Sequence, residues 1–230
     1  MTMDMSLTNK ELAEYVSCQC NYFFPDSIKV DLYGDLRESY SLALERTEYC
    51  FSRINLKGYG KGRKAYFSHL HSDQYSQFLY FLSNSIWKLQ PDYEDVSRKL
   101  ILLNRALNGC WFSYKGNLPK VFLLSHPVGT VLGNAAYGEY AVFNQDVTVN
   151  SQTDEYGKLH GHIGDFLFMS AGSKIIGDDK IGNNVTLGVG TTVYKREVKD
   201  NTLIFIDEST GRYVERSGHI SPACQYFYMD

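Results

Sequence analysis

The chain has 230 residues and a mass of 26.3 kDa, enough for one large domain or two small ones and for a core that needs no disulfide bonds. With 43% hydrophobic and 21% charged residues, the composition excludes a disordered chain, a collagen and a membrane bundle. A net charge of −3 gives no general attraction for nucleic acid, whose binders usually carry a basic face.

The N-terminal segment and the cysteines indicate a cytoplasmic protein. The opening MTMDMSLTNKEL has no basic region followed by an apolar run, so we predict no secretory signal. No stretch reaches the roughly 18 apolar residues that span a bilayer, so we expect no membrane span. Cys18 and Cys20 lack the two-residue gap and the second pair of a zinc site, and we interpret the five cysteines as reduced thiols.

The first half of the chain, 1–115, predicts a helical domain. Apolar residues recur there at helical spacing, between residues that cap or break helices. The four predicted helices begin after Thr8, at Leu36, at Ser72 and after Pro91, and they end before Pro25, near Ile54, past Ile86 and at Gly109.

A basic, glycine-rich segment, LKGYGKGRKAYFSHLHSDQY, separates the second and third predicted helices. Its cations are candidates for holding phosphate, but no Lys-Ser/Thr pair follows the glycines, so the segment is not a P-loop. We interpret it as a solvated loop. Its two histidines, His69 and His71, are candidates for approaching an acceptor substrate, and we single out His71.

In the second half of the chain glycine is more frequent, and the apolar residues repeat with a fixed period. Eleven of the 19 glycines fall within 129–190, against five within 1–115. Apolar residues repeat every six positions, and a second buried-size residue follows most of them four positions later. The first series is Val131, Tyr137, Phe143 and Val149, then, after an irregular stretch near 150–162, Ile163, Met169, Ile175, Ile181, Leu187 and Val193. The second series is Ala135, Ala141, Val147, Leu167, Ser173, Val185 and Thr191.

A period of six matches neither an α-helix nor a flat strand. It is typical of a parallel β-helix of hexapeptides, with three short strands in each coil. One coil cannot bury its own apolar residues, so the stacking of coils supplies the core. We therefore predict an α+β protein with a helical domain at 1–115, a β-helix at 116–206, and a tail at 207–230 that caps the last coil.

At this point the sequence resembles the hexapeptide-repeat acyltransferases, which have a left-handed β-helix, and most closely their serine acetyltransferase branch. The stretch LSHPVGTVLG (124–133) resembles that family's segment around its catalytic histidine, and HGHIGDFLFMSAGSKIIG (160–177) resembles the following coil. Upstream, LHSDQYSQFLYFLSNSIW (70–87) and LLNRALNG (102–109) resemble a serine-acetyltransferase-like subgroup associated with surface-polysaccharide modification.

The resemblance implies transfer of an acetyl group from acetyl-CoA, with no metal. His126 matches the family's general base, and a neutral imidazole is the fitting base near pH 7. His160 matches a second position that contacts the acceptor hydroxyl. The resemblance also implies a homotrimer or a dimer of trimers, with acyl-CoA in a groove between neighbouring β-helices.

The departures from the family pattern concern the acceptor. The family's base is supported by an Asp about fifteen residues upstream, where this chain has Cys110–Tyr114 and no carboxylate. Ser125 and Leu159 replace the two charged residues that bind the ends of serine. We therefore predict a sugar or glycan hydroxyl as acceptor, with serine or an amino-sugar nitrogen as alternatives. The candidate acceptor contacts are Ser125, Tyr137, Tyr140, Asn144, Gln145 and His71.

The candidate contacts for acetyl-CoA lie in the later coils. Small turn residues let the pantetheine arm approach the backbone, and two cations suit the phosphates. These residues are Ser170, Ala171, Gly172, Gly188, Lys195 and Arg196.

Two other classes of function stay open. Trimeric β-helices of this kind also house zinc carbonic anhydrases with three histidine ligands, and His126, His160 and His162 are then the candidates. A non-catalytic assembly scaffold is the other possibility. Zinc content and stabilisation by CoA distinguish these alternatives.

Overall fold

The computed structural model describes residues 3–150, 161–177 and 180–229. The chain divides into two compact units, Met1–Lys115 and Gly116–Asp230. The first is helical with a small sheet, and the second consists of short parallel strands with one antiparallel pair near its end. The α+β character expected from the sequence is confirmed. Within the described part, no helix is long and apolar enough to cross a membrane.

The first unit contains the four helices that the sequence predicts. Thr8 caps the first by a reciprocal capping box with Glu11, and Gly109 ends the fourth in the left-handed conformation at φ 66°. His71, not Ser72, is the N-cap residue of the third. The helices are α1 Asn9–Phe23, α2 Arg37–Phe51, α3 Ser72–Leu89 and α4 Glu94–Asn108, with short 3₁₀ turns at Lys57–Tyr59 and Pro91–Tyr93.

The third helix, α3, is the centre of this unit, because every residue from Asp73 to Ile86 is buried. It packs between α2 and α4. Small polar residues let the backbones approach: Ser83 and Ser97 each donate a hydrogen bond to the other's carbonyl oxygen at 2.9 Å. The two buried hydroxyls are therefore satisfied across the contact between α3 and α4.

The basic segment between α2 and α3 forms a hairpin, which corrects the interpretation as a solvated loop. Tyr59, Ala65 and Phe67 are buried there, because the hairpin contributes its apolar side chains to the helical core. Its strands form a three-stranded sheet with the N-terminal segment. The strands are β1 Asp4–Met5, β2 Gly60–Lys61 and β3 Lys64–Phe67; β4 Trp111–Phe112 follows α4.

The second unit winds through three parallel sheets in rotation, one strand from each sheet per coil. Strands equivalent in successive coils pair in parallel, for example Phe168 with Thr186 and Ile163 with Ile181. Sheet 1 contains β5 Phe122–Leu124, β8 Ala141–Phe143, β11 Phe168–Met169, β14 Thr186–Leu187 and β17 Thr202–Asp207. Sheet 2 contains β6 Val131–Leu132, β9 Thr148–Asn150, β12 Lys174–Ile176 and β15 Thr192–Tyr194. Sheet 3 contains β7 Ala136–Tyr137, β10 His162–Ile163, β13 Lys180–Ile181 and β16 Glu197–Val198.

The six-residue period is confirmed as the inward-facing set of this unit. All six members of the series from Ile163 to Val193 are buried, and Ser173 and Thr191 of the second series are also fully buried. One member of the series upstream of residue 150 was predicted wrongly. Leu132, not Val131, takes the inward position, because Leu132 pairs with Val149 while Val131 is only half-buried.

Side-chain oxygens at the corner between sheets 3 and 1 tie the coils together. The backbone N–H of Glu139 donates to Asp165, that of Asp165 to Asn183, and that of Asn183 to Asp200, at 2.7–2.9 Å. A glycine precedes three of these residues because the coils touch there. A Cβ on Gly164 would lie 2.6 Å from the carbonyl carbon of the next coil.

The tail runs back along this same corner. After β17, strand β18 (Arg212–Ser217) pairs antiparallel with it, and a 3₁₀ turn follows at Pro222–Gln225. The imidazole of His219 contacts the Thr186 hydroxyl at 2.9 Å. The ring of Phe227 packs edge-on against Tyr140, whose ring stacks on Phe166. The tail therefore covers several coils rather than the last one alone.

Candidate active site

Four turns stack at the corner between sheets 1 and 2, which we call the His126 corner. Each turn connects a sheet 1 strand to the next strand of sheet 2. The four turns occupy residues 125–129, 144–146, 170–172 and 188–190. Backbone hydrogen bonds hold them in register, from Asp146 N–H to Val128, Gly172 N–H to Gln145 and Gly190 N–H to Ala171, at 2.8–3.0 Å.

The turn that carries His126 is longer than those stacked on it. Five residues join the inward positions Leu124 and Thr130, whereas three residues join the equivalent positions in the other coils. The carbonyl oxygens of Val128 and Gln145 each accept the hydrogen bond from the next turn, so the two residues occupy equivalent positions. The two extra residues therefore lie before Val128. The chain therefore bulges from the corner at Ser125–Pro127, and the hexad pattern alone did not reveal this insertion.

The bulge exposes the imidazole. His126 is exposed in the left-handed conformation at φ 52°, and its carbonyl oxygen accepts a 2.7 Å hydrogen bond from Val128 N–H. Pro127 is buried beside it and fixes its own φ. The backbone is held on both sides while the side chain faces solvent, so a ligand in this corner can reach the ring.

The structure brings most of the predicted site residues together here. Asn144 uses its side-chain N–H to bond the carbonyl oxygen of Met169 at 2.7 Å, and Gln145 is exposed. The predicted residues in the His126 corner are Ser125, His126, Asn144, Gln145, Ser170, Ala171, Gly172 and Gly188.

The later turns leave backbone accessible at this corner. Gly172 and Gly190 adopt left-handed φ values of 70° and 67°. Nothing lies within 4 Å of where a side chain on Gly190 would begin. Val189 beside it has 73% of its area exposed. An extended amide-bearing ligand can therefore approach the peptide groups of these turns.

Sequence reasoning missed two charged residues at this corner. Asp146 occupies the left-handed position of its turn at φ 56°, and Lys174 donates from Nζ to the Gly172 carbonyl oxygen at 3.0 Å. Aligning the four turns would have shown Asp146 as the one charged residue at a position that is glycine in the other three coils.

Four other predicted residues lie elsewhere in the second unit. Tyr137 points toward the interior, 6.3 Å from the Phe143 ring, and donates its hydroxyl to the Gly133 carbonyl oxygen. Tyr140 packs under the tail at the corner between sheets 3 and 1. Lys195 and Arg196 follow sheet 2 at the third corner, where Arg196 forms an ion pair with Glu215 of β18.

Two predicted histidines remain, His71 and His160. His71 is in the helical unit, with its ring 5.8 Å from that of Tyr59 and its buried Nδ1 without a hydrogen bond. Burial raises the pKa of the Tyr59 hydroxyl well above its ordinary value. His160 lies outside the described residues.

Two of the three histidines of the zinc alternative, His126 and His162, do not meet, and the third, His160, is outside the described residues. His162 is exposed on sheet 3, in register with Lys180, whereas His126 lies at the corner of sheets 1 and 2. Within the residues that the structure describes, no group of three or more His, Cys, Asp or Glu side chains is arranged to hold a metal ion.

Comparison with curated proteins points to serine acetyltransferases. The serine acetyltransferase of Synechococcus elongatus is 31% identical over 133 residues, covering 57% of this chain and 53% of that protein. That of Staphylococcus epidermidis is 30% identical over 124 residues, covering 54% of this chain and 57% of that protein. The chain thus spans about half the length of these curated relatives. A scan against protein-family profiles finds no match.

Solved structures point the same way over more of the chain. Serine acetyltransferase from Vibrio cholerae superposes with a TM-score of 0.65 at 18% identity, covering 90% of this chain and 80% of that one. The Neisseria gonorrhoeae serine acetyltransferase in complex with serine gives 0.63 at 17% identity, covering 88% and 83%. The chain therefore has the fold of these serine acetyltransferases.

Proposed function

We propose that this protein is an acetyl-CoA-dependent O-acetyltransferase with His126 as general base. One observation carries the proposal: an exposed imidazole stands on a two-residue bulge, beside stacked turns whose backbone is accessible. The curated relatives that match this part of the chain are serine acetyltransferases.

In the proposed reaction the acceptor hydroxyl attacks the thioester carbonyl directly. Neutral His126 takes the hydroxyl proton as the C–O bond forms, and the carbonyl oxygen becomes an oxyanion. Backbone N–H groups are suitable donors for that charge. Collapse of the intermediate breaks the C–S bond, and the imidazolium returns its proton to the departing CoA thiolate. No covalent acyl-enzyme is needed.

The stacked turns are the proposed seat of acetyl-CoA. Their small residues Ser170, Ala171 and Gly172 let a pantetheine arm approach the backbone. Gly188 is less suited than the sequence predicts, because a Cβ there would lie 2.7 Å from the Phe205 Cβ and its N–H already donates to the Ile204 carbonyl oxygen. Of the two cations expected at the phosphates, Arg196 has Glu215 as a partner, and Lys195 is exposed. Lys195 is thus the better candidate for a phosphate contact.

Serine is the acceptor that the relatives' names favour. The prediction of a sugar or glycan acceptor rested on uncharged Ser125 and Leu159, and none of the similar proteins reported above supports it or a role in polysaccharide modification. A sugar hydroxyl remains the second candidate because Ser125 lies on the bulge itself and carries no charge.

The hand of the β-helix and the oligomeric state of the protein are also part of this proposal. The family resemblance implies a left-handed β-helix and a homotrimer or dimer of trimers, in which neighbouring chains share each acetyl-CoA groove. Sedimentation at several concentrations measures the assembly. A stable monomer with full activity would contradict the shared groove.

The decisive experiment follows free thiol release from acetyl-CoA with serine, nucleotide sugars and oligosaccharides as acceptors. We expect His126→Ala to lower kcat by about 10²–10⁴-fold, as loss of a general base does, without changing CoA binding. His162→Ala is the matched control, because it removes an exposed imidazole from sheet 3. Unchanged turnover in His126→Ala would remove this residue from the mechanism.

A further inference from the structure

Asp146 departs from the pattern of the corner it occupies. Its stacked neighbours at the left-handed position are Gly129, Gly172 and Gly190, with φ of 78°, 70° and 67°, whereas Asp146 has φ 56°. That conformation disfavours residues with a side chain, although Asp tolerates it better than most. A carboxylate is therefore held at a position where glycine would be less strained.

The neighbouring glycines make room for that carboxylate. A Cβ added to Gly129 would lie 3.2 Å from Asp146 Oδ1, and one added to Gly172 would lie 3.7 Å from Oδ2. Both carboxylate oxygens thus lie over bare backbone, one toward the coil below and one toward the coil above. Side chains at either glycine would crowd or cover them.

The carboxylate is also placed next to the catalytic bulge. Asp146 N–H donates to the Val128 carbonyl oxygen, and Val128 N–H donates to that of His126. The nearby Lys174 ammonium bonds the Gly172 carbonyl oxygen and forms no ion pair with Asp146. Across the described ranges, the Asp146 side chain makes no hydrogen bond or salt bridge, so its charge is available to a ligand.

We propose that Asp146 binds the ammonium group of the acceptor and so selects an amino-bearing hydroxyl compound such as serine. This inference rests on the proposed function, which places the acceptor hydroxyl at His126. The Asp146 carboxylate supplies the anionic contact that the uncharged Ser125 cannot. Asp146 is therefore a specificity-determining residue for the acceptor.

The test compares L-serine with 3-hydroxypropionate, which keeps the hydroxyl and carboxylate but lacks the ammonium. In Asp146→Asn, kcat/KM for serine should fall by about 10–100-fold, as expected for loss of a hydrogen bond to a charged group. The value for 3-hydroxypropionate should change less than about twofold, because that acceptor makes no such contact. Calorimetric titration should show the same selective loss of serine binding.

Two further variants separate this role from folding. Asp146→Gly restores the residue of the other three coils, so the protein should be no less stable yet lose serine selectivity as Asp146→Asn does. Asp165→Asn changes the same charge at another corner and should leave selectivity intact.

Each outcome identifies what has failed. Wild-type protein that transfers acetyl groups to serine, with Asp146→Asn equally active, would overturn this inference alone. A wild-type preference for 3-hydroxypropionate or a neutral sugar would also overturn it. Wild-type protein that binds serine through Asp146 but releases no thiol from acetyl-CoA would contradict the proposed function and leave the ammonium contact standing.

Discussion

Replacing Gly164 by alanine tests how closely the coils of the second unit stack. The new Cβ would lie 2.6 Å from the carbonyl carbon of Gly182 and 2.7 Å from the backbone nitrogen of Asn183. These are backbone atoms of the next coil, so no side chain can rotate away. The coils must separate locally, and the ladder of side-chain hydrogen bonds through Asp165 must stretch.

The expected cost follows from these contacts. Forcing a methyl group into a packed site costs about 1–3 kcal/mol. Loss of the two ladder hydrogen bonds at Asp165 adds about 1 kcal/mol each, for a total of about 3–5 kcal/mol. Gly190→Ala is the matched control, since its Cβ meets nothing within 4 Å and only its left-handed φ of 67° is unfavourable. That substitution should cost about 1–2 kcal/mol.

Urea unfolding followed by circular dichroism measures both variants against the wild type, with the free energy of unfolding from linear extrapolation. Thermal unfolding should show a shift of about 2–4 °C per kcal/mol for a chain of this size. Equal destabilisation by the two substitutions would refute the reasoning, because it would mean that the coils leave room for a methyl group at Gly164.

Two predictions concern charges in the helical unit. Glu94 accepts hydrogen bonds from Tyr114, Lys115 and Arg98, which lower its pKa to about 2, so Glu94→Gln should destabilise the protein at neutral pH. Because the pKa of Glu94 is depressed in the folded state, this stabilisation is present above the unfolded pKa near 4.3 and is lost as the pH falls toward 2. The urea midpoints of the wild type and Glu94→Gln should therefore converge between pH 7 and pH 2.5. A constant difference between the two midpoints would contradict this account. Lys99 is 5% exposed and donates hydrogen bonds to Asp26 and to the Ile28 carbonyl oxygen. Lys99→Ala should therefore lower the free energy of unfolding, measured in urea, by about 2–3 kcal/mol. A decrease below about 0.5 kcal/mol would show that water replaces the ammonium group.

Parts of the fold were predictable because their causes are local or periodic. Thr8 and Gly109 bound helices through hydrogen bonds and conformations within one turn of chain. The series from Ile163 to Val193 places one inward residue per strand, so its period directly reflects the coil. A regular repeat lets six-residue arithmetic predict which side chains are buried.

The candidate site was only partly predictable, because it is formed where the six-residue repeat is interrupted. His126 and the small turn residues were identified by resemblance, and the stacking of coils places them at one corner. The bulge around His126 and the charge at Asp146 interrupt the repeat, and no count of apolar positions locates them. Tyr140 was expected at the acceptor but packs against Phe227, 87 positions away in the chain.

The sequence by itself determined the helical first unit and the six-residue coil, because periodicity and capping act over a few residues, and its family resemblance identified the imidazole candidate. Only the tertiary structure decided which turns share a corner, which tyrosine packs under the tail, and that Asp146 stacks on the turn that carries His126. Those relationships join residues that stacking brings together from different coils, and spacing along the chain does not encode them.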